Sequence, residues 1–173
     1  AIVTTHTQAR FVLPAAIAAI KQSYPDIGIR LEPHGDTELI ELLGKGVADM
    51  AIVSTAGNPP NAEFAIPIFR WDRQILVPRF HPLAALARAP RIEELAGYEL
   101  VSYESSLAAE SSLRRAFVEA GCELKLAVTA RDADLIKTYV RAGLGVGVLA
   151  EMALGPDDHK ELCVLPAAGL LPT

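Results

Sequence analysis

Asp132-Ala133-Asp134-Leu135-Ile136-Lys137-Thr138-Tyr139-Val140-Arg141-Ala142-Gly143-Leu144-Gly145-Val146-Gly147 reads as a helix closed by Gly143 and followed by a buried strand with spaced glycines. Asp132 stands where an N-cap carboxylate accepts a first-turn N–H, and Asp134 complements the helix dipole. That use of the two carboxylates is preferred to an acid-base pair. Lys137, Tyr139 and Arg141 are expected on a solvated or cleft-facing helix surface. Gly145 and Gly147 open a strand with no helix after them, which does not fit a phosphate loop; close backbone approach is the more economical account. A helix running directly into a buried strand is the recurring unit of an α/β domain.

The same unit recurs on either side. In the second half, strands are expected at 74–78, 100–103, 124–129 and 161–165. Helices are expected at 92–95 and at 111–120, the latter capped by Gly121. A stretch containing proline and alanine, 81–90, crosses the surface between them. In the first half, residues 1–5 form a short apolar strand. Pro14 starts a helix at a position where its missing N–H is harmless, with Ile17 and Ile20 on the buried face and Tyr24-Pro25 ending it. Residues 27–32 alternate as a strand does. Asp36 or Thr37 caps a helix carrying Leu39, Ile40, Leu42 and Leu43, and Gly44 or Gly46 ends it. Residues 48–53 are nearly all apolar, as in a parallel strand covered on both faces. A loop at 57–61 and an edge strand at 64–69 follow.

This order predicts a mixed α/β fold of two lobes, each a βα sandwich with a cleft between them. Lobe I is expected to cover residues 1–70 and lobe II residues 71–173, with the crossover near 70–73. Small ligands bind at the carboxyl ends of such strands.

Thr4-Thr5-His6-Thr7-Gln8-Ala9-Arg10-Phe11 lies where the first strand gives way to a helix. Thr5, Thr7 and Gln8 bring hydroxyls and an amide to the free N–H groups there, a neutral donor set that suits a small anion. A simple helix cap explains Thr5 or Thr7 equally well. Ser54 follows the third strand; it either reaches the same crevice or turns its loop. Ser105 and Ser106 follow the strand ending at Tyr103. They either close the cleft from the other lobe or form a serine-rich approach to the next helix.

Composition narrows the classes. Of 173 residues, 51% are hydrophobic and 21% charged, so a packed core is expected rather than disorder. The formal charge of -5 argues against this piece itself gripping a nucleic-acid backbone. No apolar run is long enough to cross a bilayer, and no signal peptide is evident, so no membrane partner and a cytoplasmic location are expected. Cys122 and Cys163 are expected as two idle or buried thiols. None of the four histidines has a partner at metal-ligand spacing, so no metal or cofactor is expected. No paired nucleophile and base is visible, which argues against an enzyme.

At the two quoted segments the chain resembles the LysR-type transcriptional regulators, and within them the CysB/Cbl group that controls sulfur assimilation. Leu13-Pro14, Tyr24-Pro25, the stretch 46–52 and His81-Pro82-Leu83 also fit, and the resemblance runs from residue 1 to about residue 152. It implies a two-lobed fold of the periplasmic-binding-protein type 2 kind. It implies an effector-sensing domain in which Thr5, Thr7 and Gln8 bind a small anion between the lobes. The effector class it implies is sulfate, thiosulfate, adenylyl sulfate, or O- or N-acetylserine. Ser54 stands where the group carries a threonine and keeps its hydroxyl. Ala108 replaces a threonine contact, while Arg131 replaces a neutral residue and offers charge there. The resemblance further implies DNA binding through an N-terminal winged helix-turn-helix outside this sequence, and homodimers or homotetramers. A further strand and helix returning to lobe I are expected after about residue 170, so the chain reads as a fragment whose first lobe exposes an edge. The competing reading is a secreted solute-binding protein for a small oxyanion.

Overall fold

The computed structural model describes residues 1–55, 60–86 and 88–171. The chain divides into two compact units, Ala1–Ile68 and Phe69–Thr173.

The first unit is built on β1 (Ile2–Thr4), α1 (His6–Phe11), α2 (Leu13–Ser23), β2 (Leu31–Pro33), α3 (Leu39–Gly44) and β3 (Met50–Ile52). The three strands lie parallel in the order β2-β1-β3, joined by the helical crossovers that parallel neighbours need. Val3, Leu39 and Ala48 form its buried core, with Leu42, Ala51 and Val53 packed against them. Pro14 sits in the first turn of α2 and Tyr24 is its C-cap, as anticipated.

Four expectations need correction in this unit. Ile20 is 39% exposed and Ile17 is half-buried, so the alanine-rich α2 has no deeply buried isoleucine stripe; Leu13 at its start is the buried residue. Neither Asp36 nor Thr37 caps α3: the N-cap is Glu38, without a side-chain cap bond. β3 is not covered on both faces, since Met50 is 53% exposed. No strand forms at 64–69; Phe64, Ile66 and Ile68 are exposed and the segment makes no ladder among the described residues, and Pro67 within it lacks the N–H a ladder needs. Gly46, rather than Gly44, takes the left-handed conformation after α3. The expected loop at 57–61 falls partly on Gly57, Asn58 and Pro59, which lie outside the described residues.

The second unit contains β4 (Arg73–Pro78), α4 (Ile92–Leu95), β5 (Leu100–Tyr103), α5 (Ser112–Glu119), β6 (Leu126–Ala130), α6 (Ala133–Arg141), β7 (Val146–Ala150), α7 (Pro156–Glu161) and β8 (Leu162–Pro166). Its sheet runs β6-β5-β7-β4-β8. The segment β6-β5-β7 is parallel and repeats the order β2-β1-β3 of the first unit. β4 is antiparallel to both β7 and β8. Thus the expected repetition holds for three strands in each unit, and the second adds an antiparallel pair. α7 was not anticipated from the sequence; Pro156 opens it and Asp158 Oδ2 accepts the Gly155 N–H at 2.9 Å.

Helix α6 carries Ala133, Ile136, Lys137 and Val140 on its buried face, the i, i+3, i+4, i+7 spacing of an amphipathic helix. Lys137, expected on a solvated or cleft-facing helix surface, is instead only 7% exposed, on the face of α6 turned into the second unit. Its Nζ donates to the Ala153 carbonyl at 2.9 Å and to Asp158 at 3.1 Å. Arg141, one turn on, donates to Asp158 at 2.7 Å and to Glu161 at 2.6 Å. A buried ammonium persists because these oxygens replace its water.

The spaced glycines are explained by backbone approach, as anticipated. A Cβ on Gly145 would stand 2.5 Å from the Glu99 carbonyl oxygen, and one on Gly147 would stand 2.7 Å from a Val140 methyl and 3.2 Å from Leu76 Cβ.

Candidate functional site

In the first unit, three of the four expected residues join one hydrogen-bonded cluster at the carboxyl end of β1. Thr5 is the N-cap of α1, and its hydroxyl accepts the Gln8 backbone N–H at 3.3 Å. The same hydroxyl donates to Gln8 Oε1 at 3.3 Å. Gln8 Nε2 donates to Ser54 Oγ at 2.9 Å, linking the start of α1 to the segment after β3. Parallel strands place these two segments side by side, because β1 and β3 end in register at Thr4 and Ile52.

Thr7 sits on the same turn of α1. It is 7% exposed, and its Oγ1 has no hydrogen-bond partner among the described residues. Buried hydroxyls normally find one, so Thr7 differs from Thr5, whose hydroxyl is engaged both as donor and as acceptor. Thr4 belongs to the cluster although sequence reasoning did not single it out. It is fully buried, and its hydroxyl donates to Gln8 Oε1 at 2.9 Å. The available signal was a hydroxyl at i and an amide at i+4 across a strand-to-helix junction.

Ser105, Ser106 and Arg131 belong to the second unit. Ser106 is buried, and its hydroxyl lies 3.0 Å from that of Ser102. Ser102 gives its own hydrogen to the Val148 carbonyl at 3.2 Å, so Ser106 is the donor to Ser102. The Ser106 hydrogen is therefore used inside the unit. The Ser106 carbonyl accepts from Ser111, which in turn caps α5 by accepting from the Arg114 N–H. Ser105 is half-buried on a 3-10 turn, and its carbonyl accepts from the Ala108 N–H. Arg131 is exposed and donates to Glu104 at 2.8 Å. Asp132 caps α6 through the Leu135 N–H at 2.9 Å, the role anticipated for it.

His81 Nδ1 accepts the Leu83 N–H at 3.2 Å, and burial pushes its pKa below the ordinary histidine value. Cys122 and Cys163 are free thiols, both half-buried. Among the described residues no cluster of histidine, cysteine and carboxylate side chains could hold a metal ion, and no helix is long and apolar enough to cross a membrane.

Two α/β units, each wound about a parallel three-strand core of the same order, define a periplasmic-binding-protein-like domain. Residues 1–173 match the family model of the LysR substrate binding domain. The chain belongs to that family. Its architecture matches the crystal structure of the cofactor-binding domain of the Cbl transcriptional regulator, with a TM-score of 0.85 and 34% identity over 98% of this chain and 74% of that one. The HTH-type transcriptional regulator CysB of Burkholderia cenocepacia is 36% identical over 170 residues, covering 98% of this chain and 54% of that protein. CysB of Haemophilus influenzae is 41% identical over 152 residues, covering 88% of this chain and 47% of that protein. The chain thus spans about half the length of the curated relatives it matches, and those relatives are transcriptional regulators.

Proposed function

We propose that this chain is the effector-sensing part of a LysR-type regulator of sulfur assimilation, and that it binds a small anion or an acetylserine-type inducer. The observation that carries the reading is the Thr7 hydroxyl, buried yet without a partner among the described residues, on the same turn as the Thr5–Gln8–Ser54 cluster. Such a group is unfavourable unless a bound ligand or an ordered water completes it. Three hydrogens remain for a ligand: the Thr7 hydroxyl, the Ser54 hydroxyl, which accepts from Gln8, and the second hydrogen of the Gln8 amide. All are neutral donors, and they suit sulfate, thiosulfate, the sulfuryl end of adenylyl sulfate, or the carboxylate of O- or N-acetylserine. Ser105, Ser106 and Arg131 are proposed as the second unit's contribution. There Ser106 would act as an acceptor and Arg131 as a source of charge.

The similarity to CysB and Cbl supports the sulfur-related reading, and it favours a regulator over a solute-binding protein or an enzyme. On this reading the DNA-binding segment belongs to the full-length protein, which works in the cytoplasm as a homodimer or homotetramer. Effector binding would bias an equilibrium between conformations of the sensor and alter DNA affinity by the same coupling free energy. Calorimetry on the full-length protein with sulfate, thiosulfate, adenylyl sulfate, O-acetylserine and N-acetylserine tests this. At least one is expected to bind, and Thr7→Val is expected to weaken it roughly tenfold. Binding by none of the five would overturn the effector assignment.

A further inference from the structure

Successive side chains on a strand face opposite sides. In β1, Val3 enters the apolar core of the first unit, and Thr4 points the other way, yet Thr4 is fully buried too. A position of that kind in the central strand of a parallel sheet ordinarily holds an apolar residue. Here it holds a hydroxyl whose hydrogen goes to Gln8 Oε1 at 2.9 Å. Thr5 donates to the same oxygen at 3.3 Å, so both lone pairs of the amide carbonyl are occupied. The amide nitrogen is left facing Ser54, at 2.9 Å, with one hydrogen to spare.

We propose that Thr4 is a positioning residue for the effector: its hydroxyl locks the Gln8 side-chain amide with NH2, rather than the carbonyl, towards the ligand. The inference rests on the reading that Thr7, Gln8 and Ser54 surround an anion. The lock follows from what reversal of the amide would do. Ser54 is indifferent, because a hydroxyl donates as readily as it accepts. Thr5 already accepts the Gln8 backbone N–H. Reversal would also leave the Thr4 hydrogen without an acceptor at a site no water reaches, which is the costly outcome for a buried polar group. Without the Thr4 hydroxyl that penalty disappears. The amide then spends part of its time presenting an oxygen to the anion.

The test is Thr4→Val and Thr4→Ser in the full-length protein, titrated calorimetrically with sulfate and with thiosulfate. Thr4→Val keeps the side-chain shape, so the thermal midpoint is expected to stay near that of the wild type while Kd weakens roughly tenfold. Thr4→Ser restores the hydroxyl and is expected to restore binding. A purely structural role would lower the midpoint and leave the Kd of the folded protein unchanged. If Thr4→Val binds as the wild type does while Thr7→Val binds weakly, the positioning role is overturned and the site stands. If the wild type binds none of the five candidate effectors, the site reading falls and the positioning role with it; if it binds one of the other three instead, the same variants are titrated with that one. Should Thr4→Val fail to fold, the Gln8 side-chain NH2 signals of the wild-type protein decide by NMR. They are expected to shift on adding sulfate, and signals that do not move overturn the proposal.

Discussion

Thr7 carries an unpartnered hydroxyl in a nearly closed environment, and the sign of its effect on stability is therefore predictable. An unsatisfied buried hydroxyl costs about 1–3 kcal/mol, so Thr7→Val should raise effector-free stability by about 1 kcal/mol. Urea denaturation without added anion measures this; a loss of stability would mean that the hydroxyl is satisfied in the native protein. A gain in stability together with a loss of binding is the trade expected of a site prepared for a ligand. Gly147 makes the opposite case. A methyl group there meets Leu76 Cβ and a Val140 methyl at less than contact distance, within the fully buried β7. Gly147→Ala should destabilise the second unit by about 2–3 kcal/mol, read as a lower urea midpoint. Gly145→Ala should be at least as damaging, because the obstacle is a carbonyl oxygen that accepts the Val146 N–H of the sheet.

At the scale of elements, α6 and α7 are joined by charge. Lys137 and Arg141 project from successive turns of α6 and share the two oxygens of Asp158 on α7. Breaking a buried pair leaves an uncompensated charge, so Lys137→Ala should cost about 3 kcal/mol, at the low end of the usual range because Arg141 still holds Asp158. Equilibrium unfolding followed through the second unit measures it. The same carboxylate sets a pH dependence. Burial raises the Asp158 pKa, but the Gly155 N–H, Lys137 and Arg141 outweigh burial and leave it below the ordinary value. Glu94 is held at about 2, first by the Arg88 side chain and then by the Arg91 backbone N–H. Both groups are stronger acids folded than unfolded. Their stabilisation is present above the unfolded carboxylate values and is lost as pH falls from about 4.5 towards 2. The urea midpoint should drop between about pH 5 and pH 2, and Asp158→Asn should flatten that drop.

For the molecule as a whole, the two units differ in how much apolar packing supports them. The core of the first includes Val3, Leu39 and Ala48, beneath strands of three residues. The second buries Ile75, Val77, Leu100, Leu113, Phe117, Val146 and Val148 together, under strands of four to six residues. Opening free energy follows such local packing. Amide exchange should therefore be slower in β4, β5 and β7 than in β1–β3, and added effector should slow exchange at the β1–α1 junction if that junction is its site. Equal protection in the two units would contradict the difference in packing.

Much of this was readable in the chain alone, because it depends on neighbours in sequence. The β-α-β-α-β order, Pro14 in the first turn of its helix, the Asp132 cap and the glycines after helices all follow from local periodicity and backbone geometry. So did the likeness to the LysR family, which two unbroken segments carry. The tertiary structure decided what depends on residues distant in sequence. Phe64–Phe69 is an apolar run of strand length but pairs with nothing among the described residues, since a ladder needs a partner as well as apolar residues. Lys137 lies on the buried face of α6 because Asp158 and the Ala153 carbonyl, sixteen and more residues away, stand in for water. Thr4 shows the same division: its place in a strand is written in the sequence, whereas its bond to Gln8 exists only once a strand and a helix meet at a fixed angle.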